Sequence, residues 1–189
     1  MKVAEKSDRN WVLGVDVVYE KGTDEEWNPG QFSVLLRAHR KPVIVWKGYP
    51  LSTEQNWIAG YGRDPGQEAK RVQKTALGRT ILLVCHDVAA FTNRGKANTT
   101  SQDRKKARKS LAHSLSQNPT WALNLVHSIK SDRNARGFHN KYAELSKHNG
   151  TVEIAGAFGY DGQPSEEVLR NWASLMRVPN DSGECVVLL

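Results

Sequence analysis

Two cysteines, Cys85 and Cys185, are all that the 189 residues contain. That is too few for a disulfide scaffold or a four-ligand zinc site. Cys85 lies in the apolar run ILLVC, where a reduced, buried thiol is expected, and a cytosolic (or nuclear) compartment fits. No segment reaches the ~18 apolar residues that span a bilayer. The opening MKVAEKSDRN is polar and lacks the apolar stretch of a secretory signal, so membrane and export readings are set aside. The six histidines include no His-x-x-x-His pair, which counts against a His-centred metal site. GAFGYDG (156–162) has glycines without the phosphate-loop spacing, and neither an internal repeat nor a low-complexity linker is present.

What is there is enough apolar residue for a core, 39%, and an excess of positive charge. Lys and Arg number 27 against 20 Asp and Glu, a formal charge of +7, which suggests a polyanionic partner, nucleic acid first. The length suits one domain with or without an appendage.

The β-branched run 11–20 predicts a first strand. FSVLLRA (32–38) and VIVWKGY (43–49), joined by HRKP, predict a hairpin, so that the chain opens with three antiparallel strands. PGQEAKRVQKTAL (65–77) has Ala69, Val72, Ala76 and Leu77 at helical spacing, Pro65 at its start and Gly78 beyond its end. ILLVCHD (81–87) predicts a strand covered on both faces. Helices are expected over 102–117, 136–147 and 164–176, and strands over 121–128 and 151–160, with ECVVLL a last strand or docked tail. One mixed sheet with helices against it is the economical α/β architecture.

Three carboxylates stand out. Asp16 interrupts the apolar GVDVV of the first strand, Asp87 ends the fourth, and Glu68 falls in the first turn of the first helix. Acids converging on one strand repel unless a cation compensates, and carboxylate oxygens suit Mg²⁺, with Mn²⁺ as a substitute. Two such ions can activate water and stabilise the leaving oxygen in phosphodiester cleavage. The structural alternatives are a helix-dipole role for Glu68 and a cap or turn role for Asp87. Cys85 beside His86 suggests a thiol nucleophile, but neighbours on a strand point to opposite faces. Trp57 and Tyr61, before the first expected helix, are placed to stack on a base.

The element order and several strings resemble ribonuclease H over about residues 11–148. WNPGQFSVLLRAHRKPVIVWKGY looks like that family's first turn and second and third strands. GRDPGQEAKRVQKTAL with ILLVCHD looks like its glutamate-bearing helix and aspartate-ending fourth strand, and WALNLVHSIKSDRNARGFHNKYAELS is similar to its fifth strand, histidine loop and last helix. The resemblance implies a ribonuclease H-like domain (1–148) with a β/α extension (149–189), and two-Mg²⁺ hydrolysis of the RNA strand of RNA–DNA hybrids. Asp16, Glu68 and Asp87 would hold the metals, and His127 matches the mobile histidine. The family's fourth acid falls near Ala143, leaving His139 or Asp132 in its place. VDVVYE also departs from the family's aspartate-glycine-serine turn.

From 94 to 109 the basic residues Arg94, Lys96, Arg104, Lys105, Lys106, Arg108 and Lys109 face a single acid, Asp103. Such density neutralises phosphates of hybrid or structured RNA irrespective of sequence, and the segment looks like the family's basic protrusion. A solvated helix face is its structural alternative. Two other functions remain open: a ribonuclease H-fold module that binds nucleic acid or a protein without cleaving, and a Rossmann-like nucleotide-ligand binder with His86–Asp87, Ser128 and Tyr160 at its strand ends.

Overall fold

Alternation of burial along Gln31–Leu36, inward at Gln31, Ser33 and Leu35, makes this segment a strand with one face on a core. In a computed structural model of the chain, the residues described are 11–16, 31–49, 70–75, 77–93, 102–129, 131–147, 153–160, 165–167 and 170. β1 (Trp11–Asp16) pairs antiparallel with β2 (Gln31–Leu36), and β2 with β3 (Val43–Trp46). Asp16 stands opposite Gln31, and Phe32 opposite Trp46.

A second sheet follows in the order β4-β5-β6-β7, so the single mixed sheet expected from the sequence is corrected to two among the described residues. β4 (Val72–Thr75) runs antiparallel to β5 (Gly78–Val84), whereas β5, β6 (Trp121–Ile129) and β7 (Glu153–Tyr160) are parallel. β4 replaces the later part of the helix predicted over 65–77: among the described residues of that stretch Lys70 and Arg71 are helical, and 65–69 and 76 lie outside the described residues. Helical spacing competed here with pairing to a neighbouring strand, and β-branched Val72 and Thr75 favour the strand. Gly78 is no helix stop; its φ of +103° closes the β4–β5 turn, and Thr75 and Thr80 hydroxyls meet at 2.8 Å across the pair.

β5 stops at Val84, three residues short of the predicted end, because Cys85 adopts a φ of +49° and the chain enters a 3₁₀ turn, Cys85–Phe91. The helix α1 (Gln102–Leu115) then crosses to β6, and α2 (Asp132–Ser146) to β7. α2 starts four residues before the predicted 136, where Ser131 Oγ accepts the Asn134 amide at 3.3 Å. Of the expected helix 164–176, residues 166, 167 and 170 are described and helical.

Both helices lie on one face of the four-stranded sheet, as their shared core shows. Leu111 and Leu115 of α1 join Phe138, Tyr142 and Leu145 of α2 against Ile81, Leu83, Ala122, Val126 and Ile154. The three-stranded sheet covers the opposite face through Leu35 and Val45 on Leu82. Strand alternation decides this split: Ile81 and Leu83 face the helices, and Leu82 between them faces the other sheet. The continuous apolar run of β5 is thus buried on both sides. Among the described residues, no helix is long and apolar enough to cross a membrane.

Candidate nucleic-acid interface

Where the two sheets meet beyond β3 and β5, Asp87 is fully buried. One carboxylate oxygen accepts the backbone N–H groups of Gly48 (2.8 Å) and Tyr49 (2.7 Å). The other accepts Val84 N–H (3.1 Å) and Arg71 Nη1 (2.9 Å). Arg71, also fully buried, extends Nη2 to the Trp46 carbonyl (2.6 Å) and Nη1 toward the Leu82 carbonyl (3.4 Å). The cation that compensates this acid is therefore supplied by the chain itself. Every acceptor direction of the carboxylate is taken, and the guanidinium beside it repels a second cation. The expected role of Asp87 as a strand-end Mg²⁺ ligand does not fit this geometry; the carboxylate ties the end of β3 to the start of the 3₁₀ turn.

The remaining expected site residues are scattered or undescribed. Asp16 ends β1 opposite Gln31, whose side-chain oxygen accepts the buried Lys47 ammonium at 2.6 Å. Thus Asp16 reaches the same end of the three-stranded sheet as the partners of Asp87, but in a different sheet from the turn that carries Asp87. Its own side chain, like Glu68 as a whole, lies outside the described residues. His127 falls in an irregularity of the β6–β7 register, with its side chain likewise undescribed. His139 is half-buried on α2, and Asp132 in the first turn of that helix accepts Ser165 N–H at 3.4 Å. Among the described residues, no three His, Cys, Asp or Glu side chains come together as a metal site.

The positive φ of Cys85 also overturns the expectation that Cys85 and His86 point apart. Released from strand alternation, the thiol and His86 Nδ1 lie 4.0 Å from each other. Asn124 Nδ2 donates to the Cys85 carbonyl (3.2 Å) and the Tyr142 hydroxyl (2.7 Å). Burial pushes the Tyr142 phenol well above the usual tyrosine range; the Asn124 hydrogen bond opposes the shift and Cys85 adds to it. The phenol therefore stays protonated. Cys85 is itself buried, which suits packing better than nucleophilic attack.

The basic stretch 94–109 divides. Arg104 turns inward, with its guanidinium 5.5 Å from the Tyr49 ring centroid, and Arg108 Nε donates to the Ala90 carbonyl at 3.1 Å. Lys105, Lys106 and Lys109 are exposed on α1. Arg94 and Lys96 lie outside the described residues, as do Trp57 and Tyr61.

A second cationic group, not anticipated from the sequence, surrounds an open cavity of about 560 Å³ at the β2–β3 hairpin. Arg37, Arg40 and Lys41 from the hairpin connection and Lys70 from the approach to β4 line it, with Pro42, Val43, Ile44 and Trp46 and, among the described residues, no carboxylate. Arg37 Nε is buried with no hydrogen-bond partner among the described residues. The Arg71–Asp87 pair adjoins the cavity's lining, since Arg71 follows Lys70 directly and donates to the Trp46 carbonyl. The string RAHRKP carried three of the cations in plain view but read as a turn; Lys70, 29 residues on from Lys41, could be added only by folding. No protein-family model, curated protein or solved structure matches the chain.

Proposed function

We propose that the protein binds nucleic acid through the cationic cavity of its β2–β3 hairpin, without cleaving it. The observation that carries this reading is four cationic side chains converging on one concave surface, with no acid among its described lining residues. Converging positive charges of this kind attract a polyanion. The exposed Lys105, Lys106 and Lys109 and the overall charge of +7 favour the same class of partner. Asp87 is committed to Arg71 and three backbone amides, which argues against its holding a metal for hybrid cleavage.

Four neutralised phosphates give a slope of log affinity on log salt of roughly −3.6 for a duplex, and affinity falls about a hundredfold between 50 and 200 mM KCl. Fluorescence anisotropy with a labelled RNA–DNA hybrid and a labelled single strand measures this. In R40E/K41E, which changes two exposed residues, the slope becomes shallower by about 2. Unchanged affinity and slope in that variant would overturn the assignment. Intact hybrid after incubation with Mg²⁺ or Mn²⁺ is the expected companion result.

A further inference from the structure

Phosphates explain the cations of the hairpin cavity but not its apolar wall. Trp46, Pro42, Val43 and Ile44 share the lining with the four cations, and Ile44 is 43% exposed, the one large hydrophobic side chain so exposed among the described residues. Apolar surface gains nothing from a phosphate ridge, whereas the face of an unpaired base can cover it. Trp46 is positioned for such a contact at both its ring and its backbone. Phe32, its cross-strand partner, packs on it with centroids 4.7 Å apart at 52°, and Arg71 fixes its backbone through the carbonyl. A ring already packed against a neighbour loses less conformational freedom on stacking than a fully exposed one.

We infer that this cavity accepts an unpaired base against Trp46 while Arg37, Arg40, Lys41 and Lys70 hold the flanking phosphates, so that the partner is single-stranded nucleic acid. This rests on the nucleic-acid reading above and narrows it. In a duplex the base faces are stacked on one another and do not reach a wall of this kind; a single strand can turn one base in and keep its phosphates on the rim. The cavity volume falls within the range of small-ligand sites.

The test compares wild-type protein on three labelled oligonucleotides of equal length: a single strand, the same backbone with abasic residues throughout, and the duplex. The single strand is expected to bind about tenfold more tightly than the abasic strand, the size of a base-on-aromatic contact. W46A should lose most of that margin of base-bearing over abasic strand, whereas W46F keeps most of it. RNA and DNA strands of one sequence show whether the sugar matters to the same pocket. Equal, salt-sensitive binding of base-bearing and abasic strands, or tighter binding of the duplex, would overturn the base pocket and leave phosphate binding standing. No salt-sensitive binding of any of the three would overturn both.

Discussion

Replacing Asp87 distinguishes a carboxylate that holds the fold together from one that waits for a metal. In the structure it accepts four hydrogen bonds, one of them from a fully buried guanidinium. Breaking a buried ion pair by removing one partner costs about 3–5 kcal/mol, because the other charge is left without compensation. Asp87→Ala also strands the Gly48, Tyr49 and Val84 amides, each a loss of about 1 kcal/mol or more where water cannot enter. Against a usual domain stability of about 5–15 kcal/mol, that variant should be largely unfolded at 37 °C. Asp87→Asn keeps the shape and one acceptor oxygen but sets its amide against two donors, and is expected to cost about 3 kcal/mol. Urea unfolding followed by circular dichroism measures both, and R71M/D87N should be less destabilised than the two single changes together by about 2 kcal/mol. A carboxylate in a repelling acid cluster predicts the opposite sign. Stabilisation of the metal-free protein by D87N, together with loss of a Mg²⁺-dependent rise in melting temperature, would refute the ion-pair account.

Two further outcomes follow from the same region. A Cβ at Gly48 would lie 2.5 Å from Arg71 Nη2, and since that guanidinium is fixed by the Trp46 carbonyl and Asp87, G48A should lose about 1–3 kcal/mol in the same urea experiment. For Tyr142, the folded-state pKa is raised, so its contribution is intact below the unfolded value of about 10 and is lost as pH rises from there toward the folded value. Thermal melts at pH 7 and above pH 10 should show Y142F less stable than wild type at neutral pH, by about 1 kcal/mol for the Asn124 bond, with a smaller alkaline loss than wild type.

Local pattern carried much of the secondary structure. Leu111 and Leu115, four apart, are both buried on α1, and the apolar run before Cys85 is a strand covered on both faces. The segment 65–77 misled, because its helical spacing says nothing about the β5 edge that Val72–Thr75 pairs with. An unbroken run such as ILLVCHD likewise cannot show where a strand ends, since one positive φ at Cys85 ends it. The carboxylate Asp87 was legible as out of the ordinary, but not its partner: Arg71 lies 16 residues earlier, in a stretch that reads as a helix.

The sequence by itself determined the sign and size of the charge, the amphipathic and apolar stretches that must be buried, and a cysteine count too low for a disulfide scaffold, because these depend on residue types and short spacings alone. Tertiary structure decided which cations face one another and which acid is already neutralised. Charge acts through space over a few ångströms, and Lys70 reaches Arg37 and Trp46 only after the chain has brought β3 and the approach to β4 around one buried ion pair.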